Sequence, residues 1–111
     1  MSILRLEAAP HTAIDSQYIQ SVDLTIINIG AEEYDVLFHG YNLFGVFHVN
    51  LFHLAAGAVT TIPDIMTGHM PFSLLLVTNI NHYHTLGVNV AAYNSGALVA
   101  LLTQENFTRS H

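Results

Sequence analysis

Positive charge is almost missing from this chain. There is no lysine, and Arg5 and Arg109 face eight carboxylates, for a formal net charge of −6 with histidine neutral. Phosphate recognition relies on clustered Lys and Arg, so the balance argues against nucleic acid or an anionic membrane surface as a partner. Charge of either sign is scarce, at 9% of residues against the ~25% usual for a soluble domain. Cysteine is absent, which excludes a disulfide framework and any thiolate metal site. Long hydrophobic runs are lacking too: LLLV and ALVALL fall far short of the ~20 residues of a membrane-spanning helix, so membrane insertion is not expected. MSILRLEAAP carries an early acid, Glu7, and no unbroken apolar core, so no signal peptide is recognisable. The seven glycines are scattered singly, which leaves no phosphate-cradling loop.

What remains is a chain of 111 residues, 51% apolar, enough for one domain with one core. The stretch Phe72–Phe107 organises it. FSLLLVTNI, TLGVNVAAY and ALVALLTQENF are apolar runs separated by NHYH and NSG, the pattern of consecutive antiparallel strands with short turns. Leu86, Val88, Val90 and Ala92 alternate with Gly87, Asn89 and Ala91, the period of a strand with one buried face. NSG is a hairpin signal, because Asn and Gly tolerate positive φ.

Upstream, Val22, Leu24 and Ile26 point one way and Asp23 and Thr25 the other. Ile27 and Ile29 add apolar side chains to the second face, which predicts a bulge or burial on both sides. YDVLFHGYNL and FGVFHVNLFHL read as two aromatic strands around Asn42. Ala55–Gly57 is a break, AVTTI a short strand, Pro63-Asp64 a turn and IMTGHMP a loop. The expectation is an all-β, single-domain β-sandwich or jelly roll of seven or eight antiparallel strands with an N-terminal extension.

The extension spans residues 1–20 and the sandwich 21–111. SILRLEA suits a short strand with Leu4 and Leu6 on one face and Arg5 and Glu7 on the other. It is either an edge strand of its own domain or an arm that pairs with the sheet of a neighbour.

Eight histidines are the one functional residue type in excess. His82 and His84, two apart, share a strand face, as in a cupin-like metal site. Such a site needs a carboxylate soon after and a later histidine, but the next acid is Glu105 and the one later histidine is His111, so no metal and no cofactor is expected. His48 and His53, five apart, face opposite sides of an unbroken strand. Glu32, Glu33 and Asp35 could mimic a glycosidase pair, but in a turn they read as a solvated edge. Ser73, Ser95 and Ser110 sit in no nucleophile elbow, so the chain is not expected to be an enzyme. Tyr34, Phe38, Tyr41, Phe44, Phe47 and Phe52 are either core or an exposed patch for carbohydrate or a subunit. Full histidine protonation would move the formal charge from −6 to +2 (−6 + 8), so solubility or assembly should change near pH ~6.5.

The segment from Phe72 to the C-terminus, with TLGVNVAAYNSGALVALL and its His/Ser-rich end, resembles the C-terminal half of small β-sandwich proteins of spore-forming Firmicutes. VDLTIINIG resembles their opening strand. That group includes endospore appendage subunits, whose N-terminal connector docks on the next copy. The resemblance implies a structural, self-assembling fibre subunit at a cell or spore surface. Its partner would be itself, joined by strand addition, with Ile3, Leu4 and Leu6 in the place of the connector. The cysteines that cross-link such fibres have no counterpart here. A lectin-like or capsid-like binding module is the alternative, and a cupin-like metalloenzyme a further one.

Overall fold

Strict alternation in SVDLTIIN shows how the fold forms. In β2 (Ser21–Asn28) Val22, Leu24, Ile26 and Asn28 are buried while the residues between them stay half-exposed. In the computed structural model, which describes residues 2–79 and 85–110, eight further strands accompany it. These are β1 (Ser2–Ala8), β3 (Tyr34–Asn42), β4 (Gly45–Leu54), β5 (Val59–Met66), β6 (Phe72–Thr78), β7 (Leu86–Asn94), β8 (Ala97–Thr103) and β9 (Thr108–Ser110). They build two sheets, a five-stranded one in the order β4-β3-β6-β1-β9 and a four-stranded one in the order β5-β2-β7-β8. Every pairing is antiparallel. Ser16–Tyr18 and Gln104–Asn106 are single 3-10 turns, and no described helix is long and apolar enough to cross a membrane.

The inner faces meet in one core. Leu4, Leu6, Val36, Phe38, Leu74 and Leu76 come from the first sheet, and Val22, Leu24, Ile26, Val88 and Val90 from the second. Burial of such side chains contributes roughly 1.5–3 kcal/mol each by transfer. The division into an arm 1–20 and a domain 21–111 does not match this architecture. Ser2–Ala8 is the second strand from the sheet's edge, paired with β6 along its whole length and with β9 through residues 3–5. The reason lies in its inward residues: Leu4, Leu6 and Ala8 are all buried against their own chain, an environment that a free arm would lack.

Two local readings also change. Pro63-Asp64 is a bulge within β5 and no turn ends the strand there. Val22 pairs with Ile65 and Leu24 with Ile62, Asp64 adopts φ +55°, and its N–H donates to Asp23 Oδ1 at 2.8 Å. Proline is tolerated because β5 is an edge strand, with no described strand beyond it to need the missing N–H. The bulge or two-sided burial expected at Ile27 does not occur: Ile27 pairs in regular register with Val59 and Gly87 and lies half-buried on the outer face. The NSG turn does join a hairpin, with Ser95 at φ +53° and Gly96 at φ +84°, the paired positive angles of a type I′ turn.

A polar anchor closes the far end of β2. Asn28 Nδ2 donates to the carbonyls of Glu32 at 2.7 Å and Leu54 at 3.1 Å, and Gly30 N–H donates to Asn28 Oδ1 at 2.9 Å. The fully buried amide therefore holds the loop after β2 against the end of β4.

Candidate interaction surfaces

Strand pairing lines up side chains on the outer face of the five-stranded sheet. Across it run Leu51, Leu37, Val77 and Ile3, each in register with the next from β4 through β3 and β6 to β1. The adjacent row reads Val49, His39, Leu75 and Arg5. Leu51 is 72% exposed and Val49 54%, and Leu37, Leu75, Val77 and Ile3 are half-buried. Six aliphatic side chains thus form a continuous patch over four strands. A shallow cleft of about 200 Å³ lies between Leu37, Leu51 and Val77 near Asp35 and Asn79.

Charges flank the patch on two sides. At the β3/β4 corner, His53 Nδ1 lies 2.7 Å from Asp35 Oδ1 and its Nε2 3.2 Å from Glu33 Oε2. The Asp35 hydrogen bond first, and the Glu33 one second, hold the His53 pKa above its ordinary 6.5. On the β1 side Arg5 lies 3.6 Å from Glu7, both largely exposed. Such a pair contributes little in water.

Of the residues expected at a subunit contact, Ile3 lies in this patch, whereas Leu4 and Leu6 point into their own core. The other patch members escape notice in the sequence because the rows are assembled from strands far apart in the chain. The one local sign is the unalternating run LLLV, which supplies both the core (Leu74, Leu76) and the outer face (Leu75, Val77).

The four-stranded sheet ends on one side at β8, whose Leu98, Val99 and Leu101 are exposed. A cleft of about 210 Å³ separates this strand from Ile14, Tyr18 and Ile19. A third exposed feature is the β3–β4 hairpin tip, where Leu43 and Phe44 stand free above a turn held by Phe44 N–H donating to Asn42 Oδ1 at 2.8 Å. The other aromatics divide as core and surface: Tyr34 and Phe38 are buried, and Phe47 and Phe52 pack against the core from its margin. Phe47 is the bulged residue of β4, and Gly40 makes room for it, since a Cβ there would lie 3.0 Å from the ring. Tyr34 donates its hydroxyl to the Thr85 carbonyl at 2.9 Å, and burial raises its pKa.

The described histidines do not converge. His39 Nδ1 meets Tyr41 Oη at 2.8 Å and His69 Nε2 meets Asn94 Oδ1 at 2.8 Å. His48 turns inward beside Phe38, with ring centres 5.4 Å apart, while His53 faces out, as their spacing implied. Among the described residues no group of three His, Cys, Asp or Glu is placed to hold a metal ion. His82 and His84 lie outside the described residues, as does His111.

Two antiparallel sheets packed face to face, with an apolar outer surface on one of them, define a β-sandwich. No family model and no curated protein matches the chain. Among solved structures, it is similar to the crystal structure of Thermotoga maritima 1070, with a TM-score of 0.52 and 12% identity, over 91% of this chain and 88% of that one. This likeness is one of fold.

Proposed function

We propose that this protein is a self-assembling structural subunit whose copies shield one another's apolar surface. The observation that supports this reading is the outer face of the five-stranded sheet, with Leu51, Leu37, Val77 and Ile3 in one row and Val49 and Leu75 in the next. The four strands that carry the patch, spaced ~4.8 Å, with seven residues rising ~3.4 Å each, give a face on the order of 450 Å² in plan. That is a little over half of the ~800 Å² per partner of a standard interface. Two such faces would pack as sheets do within a sandwich, about 10 Å apart.

The charges suit a second copy as well. Arg5 lies at one flank of the patch and Asp35 and Glu33 at the other. In a two-fold arrangement Arg5 of each copy can meet the acids of its partner, which offsets the repulsion between two chains of charge −6. The contact would be made by side chains of paired sheets, with β1 contributing Ile3 while Leu4 and Leu6 stay in their own core. A fibre or shell at a cell or spore surface is the setting that the Firmicutes resemblance supplies for it.

Sedimentation velocity across a protein concentration series tests the reading, beside negative-stain microscopy. Wild type should sediment above 12.2 kDa, and Val77→Glu should shift it to smaller species. Arg5→Glu should weaken association, and adding Asp35→Arg should restore it, an outcome that a folding defect cannot imitate. A wild type that stays monomeric at high concentration would refute the proposal.

A further inference from the structure

We infer that the free edge of β8 is a second self-contact, at which two copies pair β8 to β8 and continue the four-stranded sheet across the junction. This rests on the self-assembly reading above and extends it. An isologous contact alone closes a dimer; open-ended growth needs a second contact elsewhere on the molecule.

The four sheet edges differ in what guards them. β5 carries Pro63 and the Asp64 bulge. β9 is three residues long. β4 is kinked at Phe47 and bears His48 and His53. β8 reads ALVALLT, with no charge and no proline; its one irregularity is the extra residue Val99, opposite Ala92 and Tyr93. It pairs with β7 on one side; no backbone–backbone hydrogen bond joins its other side to any described residue, and only at its end does Thr103 N–H donate to a side chain, Asn106 Oδ1 at 2.9 Å. Unpaired N–H and C=O groups along a strand take another extended strand.

The occupant is set by charge and symmetry. Each copy carries −6, so two copies approach with least repulsion along an edge strand without carboxylates. β8 has none, and Asp15 in the cleft beside it is engaged by the His11 and Gln17 N–H groups, whereas β4, also without acids of its own, holds Glu33 and Asp35 against His53. An antiparallel β8 pair is self-complementary about a two-fold axis. Leu98 and Leu101 of one copy then lie beside the same residues of the other, and side chains at the junction cover the cleft beside Ile14 and Tyr18. Because β8 belongs to the four-stranded sheet and the aliphatic rows to the outer face of the other, the two dyads do not coincide. Alternating them propagates a chain of subunits.

Leu101→Lys and Leu98→Lys, both at exposed positions, test this by particle length in negative stain and by sedimentation. The expected result is that either variant truncates long assemblies to a dimer held by the outer face of the five-stranded sheet, while Val77→Glu leaves a dimer held by β8. The double variant Leu101→Lys/Val77→Glu should be monomeric, with a far-ultraviolet circular dichroism spectrum unchanged from wild type. Long assemblies that persist unchanged in both Leu98→Lys and Leu101→Lys would overturn the β8 contact and leave the face contact standing. Loss of all association in Leu101→Lys alone, with the spectrum intact, would also overturn it as the second of two contacts.

Discussion

Leu6→Ala separates a strand that belongs to its own domain from one held in reserve for a neighbour. Leu6 is fully buried in β1 and pairs with Leu74 of β6. Replacing it deletes three carbons from a close-packed interior, which costs about 3 kcal/mol once the residual cavity is included. A urea slope of roughly 2 kcal/mol per M then predicts a midpoint lower by ~1.5 M. With total stabilities of ~5–15 kcal/mol, the variant should still fold. Ile3→Ala is the control in the same strand, since Ile3 points outward and its truncation should cost ~1 kcal/mol or less. Urea unfolding followed by circular dichroism at two protein concentrations a hundredfold apart, both below the onset of association, is the assay. The difference between Leu6→Ala and wild type should not depend on concentration, because both the strand and its slot lie in one chain. Equal losses for the two variants, or a Leu6→Ala effect that grows on dilution, would refute the placement of β1.

Asn28→Ala should be among the most destabilising polar substitutions in the chain, by ~3 kcal/mol, because it strands the Glu32 and Leu54 carbonyls and the Gly30 N–H at a buried site; thermal melts against Asn50→Ala measure it. His53 predicts a pH dependence of known sign. Asp35 and Glu33 raise its pKa in the folded state above 6.5, so its stabilising contribution is complete below the unfolded value and is lost as pH rises through the folded one. The melting difference between wild type and His53→Gln should therefore be larger at pH 5.5 than at pH 8.5, and a difference that is flat or reversed would contradict the pairing.

Much of the architecture is written locally. Alternation in SVDLTIIN and LGVNVAAY assigns each side chain to a face without knowledge of any partner strand, because the period of two belongs to the backbone itself. NSG announces its hairpin for an equally local reason, the positive φ that Ser95 and Gly96 adopt. Pro63 misleads as a turn because an edge strand can spare the N–H, and whether a strand lies at an edge depends on the whole sheet.

The sequence by itself determined that this is an all-β chain poor in charge, with strands whose inward residues can be named. Only the tertiary structure decided which outward residues stand beside one another. Ile3, Leu37, Leu51 and Val77 make one row because β1, β3, β4 and β6 are neighbours in space. Likewise, the β1 leucines are core because β1 lies within the five-stranded sheet, whose inner face packs on the other sheet. Pairing between distant strands sets those adjacencies, and no spacing within a single segment encodes it.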